Sequence, residues 1–394
     1  MTRARQEIAA TTADKLMASA GRIAQGRAVV GFDAFIDAII RVVDRRGSMR
    51  ADDYTPIRTI AALAGRIGES AGLSTNLELS VAERRFGGNG PLMASGLAWL
   101  GAPVTYIGAV GREDDPTQVH PLYRPLEERC ARVVAVGTPA TTDALEFDDG
   151  KVMLGKPSAL QHITWEHLKE RIGLEALTEM VQESRLIGIV NWVMMGGVEG
   201  IWKGLYREVL PRIRPTPEAP KRVFIDLCDP AKRADADIRG AVERLAELNR
   251  LIPVTLGLNL AEARRMSAVL GVGAFEGRED RPSGPVVRGG AESLRRACGL
   301  DCVVIHPRHG AAAATESGQS GWIDGPLVSR PRISTGAGDH FNAGFALAQS
   351  LGLAMEDCLC AGVGTSGVYV RDGQSPTLGR LVDFLRRLPE PESA

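Results

Sequence analysis

The run Ser334-Thr335-Gly336-Ala337-Gly338-Asp339 gathers the residue types that group transfer needs. Three small residues precede an acid, and apolar side chains at helical spacing follow it through Ala348. Gly336, Ala337 and Gly338 can present backbone N–H groups to an anion at the start of that helix. Asp339, in its first turn, would lie beside the anion. Amides that take up charge on a moving phosphoryl group, with a carboxylate to take the proton of an acceptor hydroxyl, suit phosphoryl transfer. The same four residues also suit a plain turn whose Asp caps a helix.

Other candidate chemistry is weaker. No G-x-x-x-x-G-K-[ST] run occurs, which excludes the Walker phosphate loop. Gly362-Val363-Gly364-Thr365-Ser366-Gly367 has dinucleotide spacing but follows no predicted strand, so it reads as close helix packing. His306, His309 and His340 are too irregularly spaced for a metal set. Asp226 is expected to end a strand at a cleft edge, with Asp229 capping the next helix.

The elements that must position these groups alternate along the chain. Strands are predicted at 27–31, 39–43, 104–108, 186–190, 222–227, 254–258 and 302–306. Helices fit at 8–25, 92–100, 165–184, 202–213, 235–250, 260–270 and 289–298, and residues 143–154 read as a hairpin around Asp148-Asp149-Gly150. Alternation of this kind implies βαβ units and a mostly parallel sheet with helices on both faces. Residues 48–80 and 272–289 read as insertions outside the core.

Composition sets outer bounds. In 394 residues, 47 Lys+Arg balance 48 Asp+Glu, so no global attraction to nucleic acid is expected. No apolar run reaches the length of a membrane span. The first residues mix acidic and basic side chains without an apolar stretch, and the 6 cysteines form no C-x-x-C pair. A cytoplasmic protein with reduced thiols is expected.

Together these motifs resemble the ribokinase-like, or PfkB, carbohydrate kinase family. Thr335 to Asp339, with Phe341, Gly344 and Phe345, is similar to that family's second signature. Phe86-Gly87-Gly88-Asn89-Gly90, continuing to Gly111-Arg112-Glu113-Asp114, resembles the first. The matches run in family order from about Val29 to Pro376. The resemblance implies a single kinase domain over 1–394 with a three-layer α/β/α ribokinase-like fold. A helical extension at 1–26 would precede it, and a small β lid would be built from about 36–46 and 143–154.

It also implies roles. Asp339 would be the general base, and Gly336, Ala337 and Gly338 the anion hole. Asp37, with Asp33, Gly88 and Asn89, would hold sugar hydroxyls. Asn259, Arg308, Gly310 and Thr335 would meet the nucleotide, with Glu262 steering Mg²⁺ through water. Sugar and ATP would be the small-molecule partners, a monovalent cation is compatible, and pairing of lids would give a homodimer. Neither nucleic acid nor membrane is expected as a partner.

Three departures bear on specificity. Leu92 stands where the family often has a second Asn. Pro307 lacks the N–H that a Thr-x-Gly loop would offer a phosphate, which leaves Arg308 to replace it. The stretch from Gly31 to Asp37 is one residue longer than usual, so Asp33 competes for the sugar-binding role. The Gly31-to-Asp37 run also resembles ADP-dependent sugar kinases, which puts ADP second to ATP as donor. A nucleoside kinase, with Phe32, Phe35 and Phe147 as base-pocket candidates, and a non-catalytic sugar- or nucleotide-binding relative remain as alternatives.

Overall fold

From Ala28 onward β1 (Arg27–Phe32) is apolar and buried on both faces, as a central strand of a parallel sheet must be. The computed structural model describes residues 5–214, 221–275 and 281–392. On one side of β1 lie β5 (Val104–Gly108) and β6 (Arg132–Ala135). On the other lie β9 (Ser184–Val190), β10 (Arg222–Asp226), β11 (Val254–Leu258) and β12 (Cys302–Ile305), and all of these run parallel. β13 (Gly310–Thr315) and β14 (Ser320–Asp324) add an antiparallel edge beyond β12.

Helices cover the sheet in two groups. Arg5–Ala18, Asn89–Trp99, Ala337–Ser350, Met355–Asp372 and Leu378–Arg386 pack together in one. Val198–Gly204, Asp235–Asn249, Leu260–Leu270 and Gly284–Cys298 form the other. The result is a three-layer α/β/α fold with its core along the sheet.

A second sheet stands off the first. β2 (Phe35–Arg46) pairs in parallel with β7 (Ala140–Phe147), which pairs antiparallel with β8 (Gly150–Lys156). On the other side of β2 lie β4 (Leu79–Gly87) and the short β3 (Tyr54–Pro56). Ile40, Val42, Ile57, Leu63, Leu145 and Phe147 give this sheet a small core of its own. Residues 48–80 are therefore part of the lid rather than an appendage. They supply β3, helix Ile60–Gly68 and the start of β4, whose exposure hid the alternation that marks a strand. The return of β4 sets Gly87 opposite Phe35, and so delivers Gly88 and Asn89 beside the start of β2.

Other boundaries moved for local reasons. The 8–25 helix breaks at Ser19, and the 165–184 helix breaks at Gly173, whose φ is +88°. The 202–213 helix begins at Val198 and passes into a π turn at Leu205–Val209. In the 272–289 segment, residues 276–280 lie outside the described residues, and the helix read as starting at 289 begins at Gly284.

The packing that fixes the Gly-rich turn is that of Ala337–Ser350 on Met355–Asp372. Phe341 lies against Gly362, where a Cβ would stand 2.6 Å from its ring, so the glycine spacing at 362–367 serves helix contact. Gly344 faces the second helix equally closely, and a Cβ there would meet Ala361 O at 2.6 Å. Gly344→Ala is expected to lower stability by about 1–3 kcal/mol in urea unfolding through overpacking. Gly200→Ala, in open space within a helix, is expected to raise it by about 0.5–1 kcal/mol.

Candidate active site

Between the lid and the carboxyl ends of the parallel strands lies a cavity of about 990 Å³. Ligands of open α/β sheets bind at this edge because the strand ends and following loops converge there. From the lid come Phe35, Asp37 and Thr142; from the turn after β4, Gly88 and Asn89. Asn191 follows β9 and Asp226 ends β10, Asn259 and Glu262 follow β11, and His306 follows β12. Thr335, Gly336, Gly338 and Asp339 close the wall opposite. Through Asn259, His306 and Gly338 this cavity meets a second, of about 600 Å³, lined by Arg308, Gly310, Pro326, Phe341 and Val363 among others.

The Gly-rich turn is held from behind. Gly336 adopts the left-handed region at φ +87°, and a Cβ there would lie 2.9 Å from Leu92 Cδ1, so only glycine fits. Ala337 N–H closes the turn onto Ser334 O at 3.2 Å. Among the described residues no protein acceptor faces the N–H of Gly336 or Gly338. These are the amides free for an anion. His340 Nδ1 lies 2.8 Å from Gly336 O, and since a carbonyl only accepts, that nitrogen carries the proton. Its Nε2 then accepts from Ser375 Oγ at 2.7 Å. Tyr369 stacks on the imidazole at 3.6 Å and donates to Thr335 O at 2.9 Å.

Asp339 sits in the first helical turn, buried, and accepts from Asn89 Nδ2 at 2.9 Å. That bond ties the turn to the lid-side loop. Glu262 forms a capping box with Asn259: it accepts from Asn259 N at 2.7 Å and from Asn259 Nδ2 at 2.6 Å, while Asn259 Oδ1 accepts from Glu262 N at 3.0 Å. Asp226 accepts from Asn342 Nδ2 at 2.6 Å and from Cys228 N at 2.7 Å.

The family model for prokaryotic ketohexokinase matches residues 5–387. The chain belongs to that family. A ketohexokinase from Haloferax volcanii is 30% identical over 367 residues, covering 92% of each chain. Among solved structures, a phosphofructokinase-2 variant from Escherichia coli superposes with a TM-score of 0.62 at 14% identity, covering 92% of this chain and 99% of that one. Ribokinase from Thermotoga maritima gives 0.60 at 17%, with the same two coverages. These neighbours share the PfkB/ribokinase fold. The chain is an ATP-dependent sugar kinase of this family.

Within this kinase the two competing aspartates separate. Asp37 lines the cavity from β2, beside Thr142. Asp33 is fully buried and faces inward: its carboxylate accepts from Asn89 N at 3.0 Å, Gly90 N at 2.8 Å and Asn191 Nδ2 at 2.8 Å. It therefore caps helix Asn89–Trp99 from a distant loop, and of the two aspartates only Asp37 lines the cavity. Phe32 is in the main core and Phe147 in the lid core, leaving Phe35 as the one Phe of the three at the cavity. Asn191, Asn342, Lys232 and Arg233 were not anticipated at the site; each is a single residue at a strand end, loop or helix, with no local pattern to mark it.

Four carboxyl groups share this small buried volume. Burial raises Asp33 to about 6 and Glu262 to about 9, and burial followed by the neighbouring Asp226 raises Asp339. Asp226 also adds to the rise of Glu262. Among the described residues no three His, Cys, Asp or Glu side chains converge as a direct metal set. Such crowded acids instead fit a hydrated cation, and Mg²⁺ keeps much of its water shell.

The same shifts set a pH dependence. A carboxyl whose folded pKa lies above its unfolded one stabilises at low pH and loses that contribution as pH rises through the folded value. Glu262, pushed up to about 9, keeps its proton in the fold over a range in which an unfolded glutamate is ionised. The free protein should therefore lose stability as pH rises from 7 toward 9. Denaturant unfolding of Glu262→Gln is expected to show a shallower slope; an unchanged slope would place the proton elsewhere.

Proposed function

We propose that the kinase phosphorylates a ketohexose, with Asp339 as the general base. The observation that carries this reading is the place of Asp339, beside the free Gly336 and Gly338 amides and facing the cavity that Asp37, Gly88 and Asn89 line. The ketohexose assignment is supported by the curated relative, which is named a ketohexokinase.

In this reading the sugar lies under the lid, with hydroxyls donated to Asp37 and to the Gly88–Asn89 loop. Asp339 accepts the proton of the attacking hydroxyl as that oxygen bonds to the γ-phosphorus, and the Gly-rich amides take up charge on the phosphoryl oxygens. Asn89 orients Asp339 toward the sugar. The nucleotide occupies the second cavity, where Arg308 is exposed beside Pro307 and Gly310. A guanidinium there supplies the charge-assisted bond that proline's missing N–H cannot. Glu262 and Asp226 would hold Mg²⁺ through water, neutralising phosphate charge.

The lid leaves Leu79, Val81, Met153 and Leu154 exposed on its edge strands β4 and β8. Pairing with the lid of a second copy would cover them. Light scattering should report a dimer that Val81→Lys weakens; a monomeric native protein contradicts this.

A panel of ketohexoses, aldohexoses and nucleosides, assayed for ATP-dependent phosphorylation, tests the substrate class. Ketohexoses should give the highest kcat/KM, and a nucleoside ranking first would overturn the reading. On the preferred sugar, Asp37→Ala should raise the sugar KM at least about tenfold with little change in the nucleotide KM, since a charged hydrogen bond contributes about 1.5–3 kcal/mol. Arg308→Ala should do the converse, more strongly at low salt.

A further inference from the structure

The two amides left free for an anion are aimed by different means. Gly338 N–H belongs to the first turn of helix Ala337–Ser350, and helical geometry alone points it out of the helix end. Gly336 precedes that helix. Ala337 N–H closes onto Ser334 O at 3.2 Å, which makes residues 334–337 a four-residue turn with the Thr335–Gly336 peptide at its centre. Gly336, at φ +87° and ψ 2°, has the dihedrals of the third residue of a type II turn.

A turn of this length can close in a second way. Type I differs by rotating the central peptide through roughly half a turn, about 150° in ψ of the second residue and about 170° in φ of the third. Glycine takes either sign of φ with similar ease, so the sequence of the turn leaves both open. One orientation shows the cavity an N–H; the other shows it a carbonyl oxygen, which repels a phosphoryl group.

Tyr369 separates the two. Its hydroxyl donates to Thr335 O at 2.9 Å. The Thr335–Gly336 bond is trans, so its N–H points opposite to that carbonyl and away from the tyrosine. Gly336 itself lines the 990 Å³ cavity. A Cβ on Gly336 would stand 3.0 Å from the Tyr369 hydroxyl, which sets that oxygen directly against the turn. The ring has little freedom: it is buried, belongs to helix Met355–Asp372 and stacks on His340 with the planes 13° apart. Burial pushes the phenol up to about 12, so at neutral pH the hydroxyl keeps its proton and remains a donor.

We infer that Tyr369 is a positioning residue for the anion hole: by holding Thr335 O it locks the turn in the orientation that points the Gly336 amide at the transferred phosphoryl group. The inference rests on the reading that these amides take up phosphoryl charge, and not on the ketohexose assignment. It is therefore tested with whichever sugar the native enzyme turns over fastest.

Tyr369→Phe keeps the stack on His340 and removes only the hydroxyl, whereas Tyr369→Leu removes both. In Tyr369→Phe kcat should fall about tenfold, the worth of one hydrogen bond in the balance between the two turns, with both KM values within about threefold. Tyr369→Leu should lose at least as much. Binding supplies a readout that packing alone would not move. In titrations with Mg²⁺, ADP and sugar, aluminium fluoride, a mimic of the phosphoryl group in flight, should tighten ADP binding to the native enzyme. The tightening should be about tenfold smaller in folded Tyr369→Phe, while ADP without fluoride binds within about threefold of native. A native enzyme that shows no tightening would overturn the amide reading and the inference with it. Native kcat and native tightening in Tyr369→Phe, with losses confined to Tyr369→Leu, would overturn the inference alone and leave Tyr369 a packing residue.

Discussion

The constraint on which this cleft depends is the burial of four carboxyl groups within one small volume. Asp33, Asp226, Glu262 and Asp339 would repel one another if all were charged, and desolvation disfavours each charge separately. The fold tolerates them because each is given donors. Asp33 takes two backbone amides and Asn191; Asp226 takes Asn342 and the Cys228 amide; Glu262 takes both N–H groups of Asn259; Asp339 takes Asn89. Polar partners of this kind keep the acids in place.

Those donors also explain the long-range organisation. Asp33 and Asn89 are 56 residues apart, and the whole lid strand β4 lies between them in sequence. Asn89 then reaches Asp339 across 250 residues. One loop thus joins the helix cap, the cavity wall and Asp339. The Gly336 turn is fixed in the same manner, by His340 and Tyr369 from behind and by Leu92 in front. A change at Asp33 would reach Asp339 through Asn89.

Much of this was legible in the sequence. Gly336-Ala337-Gly338-Asp339 is contiguous, so its chemistry could be read directly, and the alternation of apolar strands with helices gave the parallel sheet. The assignment of Asp33 was not readable, because its partners Asn89, Gly90 and Asn191 are remote and meet it only once β4 has folded back. Ala337 looked like an anion donor, yet its amide closes the turn instead. The lid strands from 48–80 were missed since β4 is exposed on most of its length and carries no alternating pattern.

The central claim, that Asp339 moves the proton, is tested most directly by the turnover of Asp339→Asn. This variant keeps the size of the side chain and an oxygen for Asn89 while removing the basic carboxylate. The account predicts a kcat lower by about 10²–10⁴-fold, with sugar affinity measured at equilibrium within about threefold of the native enzyme. Turnover close to the native value would contradict it, and would place the base on another of the buried carboxylates.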